Sequence, residues 1–206
     1  MKTGLACLAF ALTLPLAQTR AVSDPLDDLL ARGRTAQASV TSLSASFTET
    51  TVSSLLRDPI VATGTLVAAK PVRVILRYAD GKTMLVDATR LVVDWPAHHQ
   101  HEELNIVETQ KRVQQYFVDA SSQELRKSFD IVLSTDRDLH DAHRLDMTPK
   151  RKQIKEGMQR LRLWIQPATL TLIKMRIDYP GGDSRTLELQ DIRLNVPIDD
   201  RTFVIR

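Results

Sequence analysis

The fold is decided by residues 72–95, which read VRVILRYADGKTMLVDATRLVVDW. Apolar side chains occupy every second position from 72 to 78, and the same alternation returns from 91 to 95. A period of two places successive side chains on opposite faces of a β-strand. Because only the short turn sequences Asp80-Gly81 and Ala88-Thr89 separate these segments, we expect neighbouring strands to be antiparallel.

The alternation recurs along most of the chain. It is found at Phe129, Ile131 and Leu133; at Leu161, Leu163 and Ile165; at Ile173, Met175 and Ile177; at Leu187 and Leu189; and at Phe203 and Ile205. About ten antiparallel strands are more than a flat sheet holds without curling. The expected fold is therefore mainly β with helices: an incomplete antiparallel β-barrel, which is a strongly curved sheet, covered by a helical lid.

One amphipathic helix is predicted over residues 24–40. Pro25 suits the first helical position, and the apolar residues that follow recur at spacings of three and four. The strand alternation stops between 97 and 127. Helical spacing over 108–118 and a short helical turn over 121–127 predict a helical excursion there. These helices are expected to cover one mouth or face of the curved sheet.

The first 21 residues have the features of a signal peptide. Lys2 is followed by an uncharged apolar stretch over 4–17, and Ala21 suits a cleavage site, so the mature chain is expected to begin at Val22. This stretch is too short for a transmembrane span, which needs about 20 apolar residues. The protein is therefore expected in the periplasm. Lipidation of Cys7 is the alternative, although only six residues precede it.

Residues 22–206 fit a single domain by their length. Cleavage would remove Lys2 and Arg20, which lowers the Lys and Arg total from 28 to 26 against 25 acidic residues, a net charge of +1. This balance argues against a nucleic-acid partner. The only cysteine, Cys7, leaves with the signal peptide, so the core must stabilise the domain without disulfides. We expect a monomer.

The sequence carries no signature of catalysis. The mature chain lacks cysteine, a Gly-x-Ser-x-Gly elbow and a glycine-rich phosphate loop, so neither an enzyme nor a cofactor is predicted. His98, His99 and His101, beside Glu102 and Glu103, could suggest a metal site. Adjacent ligands of this kind are more typical of a solvated loop than of the i, i+4 pairs that hold zinc on a helix, so no metal is predicted.

The densest cluster of positive charge consists of Lys150, Arg151, Lys152 and Lys155. A solvated turn is the commonest explanation of such a run. The alternative is contact with anionic headgroups, or with an acidic partner at a membrane surface.

Several segments, in order, resemble the LolA-type family of periplasmic outer-membrane lipoprotein carriers, and specifically a divergent branch of it. They are residues 42–49 (SLSASFTE), 64–66 (GTL) leading to Lys70-Pro71, 84–87 (MLVD), 145–150 (LDMTPK) and 201–203 (RTF). The resemblance implies an incomplete barrel with an apolar cavity under a helical lid. It also implies a carrier of acylated lipoproteins, with an inner-membrane donor and an outer-membrane acceptor.

The resemblance further implies that the residue before Pro71 latches the closed lid by hydrogen bonds to backbone carbonyls. The family usually has Arg at this position, whereas this chain has Lys70. Lysine keeps the charge but lacks the planar fork of donors, so a weaker lid latch is expected.

Alternation places the candidate cavity residues on common faces of the predicted strands. They are Phe47, Leu66, Val74, Leu76, Leu91, Val93 and Trp95. Side chains of this kind can line a ligand cavity or simply fill a core. With the resemblance, the favoured function is to shield the acyl chains of lipoprotein cargo. The alternatives are a carrier of free lipid or glycolipid, and an envelope lipid sensor that acts through protein contact.

Overall fold

The computed structural model describes residues 24–113 and 121–205. They form one antiparallel sheet of 11 strands in the order β6-β5-β4-β3-β2-β1-β11-β10-β9-β8-β7. The strands are β1 Ser42–Val52, β2 Ile60–Ala69, β3 Arg73–Tyr78, β4 Thr83–Val86, β5 Arg90–Trp95, β6 Gln100–Asn105, β7 Phe129–Asp136, β8 Ala142–Pro149, β9 Arg160–Ile165, β10 Leu172–Asp178 and β11 Ser184–Leu194. Because β6 and β7 lie at opposite edges of the sheet, the barrel is not closed. The predicted incomplete antiparallel barrel is confirmed.

The sheet consists of two runs of sequential strands that meet in the middle. Strands β1 to β6 follow one another as neighbours, as do β7 to β11. The pairing of β1 with β11 joins the two runs, with Phe47 opposite Leu189. The first and last strands of the chain are therefore the central strands of the sheet.

Four α-helices occur within the described ranges: α1 Pro25–Ala38, α2 Val107–Val113, α3 Ser122–Ser128 and α4 Lys152–Lys155. The Asp24 side chain caps α1 by accepting a hydrogen bond from the backbone NH of Leu26 (2.9 Å). Ser121 and Glu124 form a reciprocal capping box at the start of α3.

Helix bounds differ slightly from the prediction. Helix α1 ends two residues before the predicted end of the segment 24–40. Helix α2 falls within the predicted excursion, but residues 114–118, the rest of the predicted helix over 108–118, lie outside the described residues. The predicted signal peptide, residues 1–21, also lies outside them.

Two strand predictions require correction. Strand β6 lies where alternation was expected to stop: its sequence is QHEELN and five of its six residues are exposed. An edge strand that is solvated on both faces carries no apolar alternation, so the pattern could not show it. At the chain end, Phe203 lies in a 3-10 turn, Asp200–Phe203, and not in a strand.

We call β7 to β10, with the helices on them, the helix-packed half. Its concave face is covered by α1 and α3, and the buried core is Leu26, Leu29, Leu125, Phe129, Leu145, Met147 and Leu161. Large side chains from both helices meet those of the strands here, which excludes water from the interface. Phe129 has 0% of its surface exposed.

We call β1 to β5 the cavity half. Its concave face carries the buried cluster of Phe47, Leu66 and Tyr78. Its convex face carries a second cluster, Ile75, Leu85, Val92 and Phe203, in which the chain end packs back onto the sheet. Both faces of this half are thus apolar.

Gly64 in β2 is required by the packing of the cavity half. A Cβ at this position would lie 2.2 Å from the carbonyl oxygen of Arg77 and 2.7 Å from the ring of Phe47. The bare backbone of Gly64 therefore accommodates the Phe47 ring. The ring in turn contacts Tyr78 edge-on, with 5.0 Å between ring centroids.

In the part of the chain described, no helix combines the length and the apolar character that crossing a bilayer would need.

Candidate functional site

A mainly apolar concavity lies where the C-terminal end of α1 passes over the central strands. Its volume is about 510 Å³, within the range of roughly 300–1,000 Å³ typical of small-molecule sites. Its walls come from α1, from β1 to β3, from β11 and from the β9–β10 connection. The lining side chains that carry the apolar surface are Ala36, Val40, Leu43, Leu66, Ala68, Ala69, Pro71, Val72, Val74, Leu170, Leu172, Leu189 and Leu194.

The cavity floor follows directly from strand register. Leu43 in β1 lies opposite Ala68 in β2, and Ala68 lies opposite Val74 in β3. Directly opposed residues of antiparallel strands share a face, so these three side chains form one row of the concave surface. The next row contains Leu66 and Leu76, which are also opposed.

The roof of the cavity is the weakly packed part of α1. The first half of the helix buries Leu26 and Leu29 in the core of the helix-packed half. Over the cavity, the only apolar side chain that the helix itself contributes is the small Ala36, and Gln37 follows it in the last turn. Val40 lies beyond the end of the helix. Small side chains cannot fill the space below them, so the void exists because of the residues that α1 carries there.

Lys70 holds the C-terminal end of α1 against the sheet. Its ammonium group donates hydrogen bonds to the backbone carbonyls of Gln37 (2.9 Å) and Ala38 (3.1 Å). These carbonyls belong to the last turn of the helix, where backbone acceptors lack helical partners and a cation is favoured. Lys70 itself is exposed, so water competes for these bonds.

The segment that follows α1 is anchored separately. The backbone NH of Thr41 donates to the side-chain oxygen of Asn195 (2.8 Å), and the backbone NH of Asn195 donates to the carbonyl of Ser42 (2.9 Å). The Ser42 hydroxyl donates to the carbonyl of Val196 (2.6 Å). The cavity therefore has a firmly held frame at β1 and a roof held at its end by Lys70.

The structure distributes the residues predicted from sequence across one continuous concave face. Three of them, Leu66, Val74 and Lys70, line the cavity. The others lie on the same face outside the lining. Leu76, Leu91, Val93 and Trp95 share it through the register of β3, β4 and β5, and Phe47 is buried at 2% exposure in the cluster below.

Sequence reasoning missed the half of the cavity wall that comes from distant segments. Leu170 belongs to the β9–β10 connection, Leu172 begins β10, and Leu194 ends β11. Only the β1–β11 pairing brings these segments beside β1, and alternation gives no signal for which strands pair. Leu43 could have been found, since it alternates with Ala45 and Phe47.

Tyr78, in the buried cluster of the concave face, is poorly suited to act as an acid or a base. Burial raises the pKa of its hydroxyl, and the neighbouring Glu49 adds to the shift. The hydroxyl donates to Glu49 Oε2 over 3.1 Å. Tyr78 therefore stays neutral and serves packing, with the ammonium group of Lys82 3.7 Å from its ring centroid.

The histidine-rich segment is polar surface. His101 Nδ1 lies 2.9 Å from Asp94 Oδ1 across the β5–β6 pair, and the His98 ring lies 3.9 Å from that of Trp95, centroid to centroid. Among residues 24–113 and 121–205, no cluster of three or more histidine, cysteine or acidic side chains is arranged to hold a metal ion.

Part of the basic cluster at 150–155 is engaged within the fold. Lys150 forms an ion pair with Asp130 (2.8 Å) and donates to the carbonyl of Arg126 (2.8 Å). Lys152 and Lys155 begin and end the short helix α4, and both are exposed.

Residues 38–206 match the family described as outer membrane lipoprotein carrier protein LolA. The chain belongs to the LolA family. The match begins at the end of α1 and spans every strand of the sheet, so it includes the cavity walls and Lys70. Among curated proteins, none matches the chain significantly in sequence. Membership of the LolA family supports a carrier or binding protein that acts outside the cytoplasm.

Solved structures share the LolA-like fold at low sequence identity. An uncharacterized conserved protein from Thermus thermophilus is 9% identical, with a TM-score of 0.56 over 87% of this chain and 93% of that one. The MucA/MucB complex from Pseudomonas aeruginosa gives 15% identity and a TM-score of 0.54, over 87% and 60%. Lipoprotein LppX from Mycobacterium tuberculosis gives 16% and 0.50, over 86% and 99%. At these identities the likeness concerns the fold alone.

Proposed function

We propose that this chain is a periplasmic carrier that shields the acyl chains of lipoproteins and delivers them toward the outer membrane. The observation that supports this most is the apolar cavity of about 510 Å³ between α1 and the central strands, in a chain of the LolA family. In this proposal, residues 1–21 are the signal peptide and 22–206 form one carrier domain. The domain works as a monomer between an inner-membrane donor and an outer-membrane acceptor.

The apolar lining provides the driving force for cargo binding. Each methylene group that leaves water contributes about 0.8 kcal/mol, so an acyl chain that enters the cavity is strongly stabilised against transfer to water. Polar groups of exposed lining residues, including Lys70 and Thr41, stand at the rim. These groups leave the interior to the acyl chain, and they can face the polar part of the cargo to which the acyl chain is attached.

Helix α1 and Lys70 supply the means of loading and release. The first half of α1 is fixed by Leu26 and Leu29, while the second half rests over the cavity with small side chains and two hydrogen bonds from Lys70. The end of the helix can therefore lift at a small free-energy cost while the core stays intact. We propose that Lys70 is the lid latch and that the lifted end admits the acyl chain.

A charge placed in the cavity tests the proposal. Val74→Glu puts an ionisable group into the lining, and we expect the affinity for a fluorescent long-chain fatty acid to fall about tenfold or more, because an ion in an apolar site is costly. Val132→Glu is the matched control, since Val132 lies in the edge strand β7, outside the cavity lining, and is 61% exposed. Unchanged binding by a folded Val74→Glu variant, judged by circular dichroism, would contradict the assignment of the cavity.

Cargo identity is tested on protein isolated gently from the periplasm. Mass spectrometry of organic extracts and tryptic digests should find acylated N-terminal peptides of lipoproteins. Free lipid without such peptides would replace the lipoprotein carrier by the first alternative, a carrier of free lipid or glycolipid. That alternative is favoured by one observation: the apolar side chains of the lining are aliphatic, and no aromatic ring lines the cavity among the described residues.

A further inference from the structure

The hairpin that joins β1 to β2 exposes an unusual amount of apolar surface. Nine large apolar side chains are exposed in the described parts of the chain, and five of them lie within residues 52–61. They are Val52 (39%), Leu55 (90%), Leu56 (43%), Ile60 (54%) and Val61 (62%). Scattered exposed leucines and valines are ordinary, but five large apolar side chains exposed on one hairpin mark a contact surface.

The hairpin is held in place and does not fold back over its own apolar side chains. The carboxylate of Asp183, in the β10–β11 turn, accepts hydrogen bonds from the backbone NH of Ser54 (2.9 Å) and the hydroxyl of Ser53 (3.1 Å). The pairing of β1 with β2 continues to Thr51 opposite Ile60. The base of the hairpin is thus fixed, and Leu55 projects from it.

A basic cleft of about 710 Å³ adjoins the hairpin base through the same Asp183. Lys155 and Arg160 line this cleft, and both are exposed. Arg162 is engaged differently, because it forms ion pairs with Asp178 (2.8 Å) and Asp146 (3.2 Å). Lys155 and Arg160 therefore supply the cleft with positive charge that the Asp178 pairs do not neutralise.

The hairpin and the lipid cavity lie at opposite ends of β1. Ser42, the first residue of the strand, lines the cavity, and Val52, the last, begins the hairpin. A strand of 11 residues spans about 36 Å. The hairpin surface is therefore separate from the cavity mouth.

We propose that hairpin 52–61, together with Lys155 and Arg160, docks the protein onto a bilayer surface that contains anionic lipids. Leu55 inserts among the acyl chains, and the two cations meet the headgroup phosphates. A narrow protrusion with apolar side chains and flanking positive charge matches the layering of a bilayer, which is apolar beneath an anionic surface. Arg57 and Asp58 at the tip balance each other in charge, so the attraction comes from the cleft.

The bilayer is favoured over a protein partner because the apolar groups stand on a protrusion and not in a groove. A protein would need a matching concave pocket, whereas a fluid bilayer adapts to the tip. The inference does not rest on the proposed carrier function, since membrane docking needs no occupied cavity.

Co-sedimentation with lipid vesicles tests the docking surface, with the chain lacking the predicted signal peptide. Vesicles of phosphatidylcholine alone are compared with vesicles of phosphatidylcholine and phosphatidylglycerol. We expect binding to the anionic vesicles, weakened about tenfold by Leu55→Asp, since burying one leucine side chain is worth that factor or more. Raising the salt concentration, or a Lys155→Gln/Arg160→Gln variant, should weaken binding to the anionic vesicles only.

A matched pair of valines separates docking from a general effect of added charge. Val61 is 62% exposed in the hairpin, and Val132 is 61% exposed in β7. Val61→Asp should weaken vesicle binding, and Val132→Asp should not. Equal binding by wild type and Leu55→Asp, equal losses in the two valine variants, or no vesicle binding by the wild type would each overturn the proposal. Capture of a protein partner through the hairpin by a chain that ignores vesicles would overturn it as well.

Discussion

The helix-packed half and the cavity half are built from strands of the same kind, yet only one has a filled concave face. In the helix-packed half, Leu26 and Leu29 of α1 interdigitate with strand residues such as Met147. At the other end of the same helix, Ala36 faces the central strands and leaves a void. The comparison shows that side-chain size along a single helix decides where this sheet encloses a packed core and where it encloses a cavity.

On the convex face the difference is reversed: there, among the described residues, the cavity half has the packed apolar cluster and the helix-packed half does not. The helix-packed half carries charged side chains outside, where Arg162 bridges Asp146 and Asp178. The cavity half is apolar outside, where Phe203 from the chain end packs on Ile75. A half whose inner surface encloses a void thus gains its buried apolar area from its outer surface.

Truncation of Phe129 should produce the largest effect and should locate stability in the helix-packed half. Phe129→Ala is expected to lower the free energy of unfolding by about 3–5 kcal/mol, because it leaves a cavity in a fully buried core. Val93→Ala, on the half-buried face of the cavity half, should cost about 1 kcal/mol or less. Urea denaturation followed by circular dichroism measures both.

The acyl-binding measurement sharpens the same contrast. Phe129→Ala should leave fatty-acid affinity near that of the wild type under conditions where the variant is folded. Similar losses of unfolding free energy in Phe129→Ala and Val93→Ala would show that the two halves are equally packed, contrary to the structure.

Substitution of Lys70 should have a moderate effect confined to the end of α1. Lys70→Met removes both hydrogen bonds to the carbonyls of Gln37 and Ala38 and is expected to cost about 1 kcal/mol, since the group is exposed to solvent. Hydrogen exchange should accelerate several-fold in the last turn of α1 and stay unchanged at Leu29. Lys70→Arg restores a donor and should slow exchange again; failure of the two variants to differ would argue against the latch.

Acidification should produce the smallest effect, confined to hairpin 52–61. The backbone NH of Ser54 and the hydroxyls of Ser53 and Ser54 hold the pKa of Asp183 below its ordinary value of 3.8. The anchoring is therefore complete above that ordinary value and is lost as the pH falls through the lowered folded-state pKa. Nuclear magnetic resonance of the Ser54 amide during acid titration should report the loss. Asp183→Asn should abolish this titration while keeping an acceptor; an unchanged titration would show that another group is responsible.

Much of the architecture could be predicted because alternation is a local property of the chain. Strands β3 and β5 are predicted by the apolar residues at every second position of 72–78 and of 91–95. Strand β6 could not be found this way, because an exposed edge strand needs no apolar face. Phe203 ends a 3-10 turn and packs on the convex face. Because Phe203 and Ile205 are two residues apart and both apolar, their spacing matches that of a strand although the segment is not one.

The candidate site was predicted in part, for a related reason. Leu66, Val74 and Lys70 lie in sequential hairpins whose partners are neighbours in the chain. Leu172 and Leu194 belong to segments more than a hundred residues away from β1, and no local pattern specifies that they meet there.

The sequence by itself determined most of the strands, the antiparallel order of sequential neighbours and the apolar character of the concave face, because each follows from residue type and spacing along the chain. The tertiary structure alone decided that β1 pairs with β11, that the small residues of α1 lie over the junction and that Leu55 projects at the far end. Those features depend on which distant segments come together. Long-range contacts are selected by the packing of the whole sheet and not by any local periodicity.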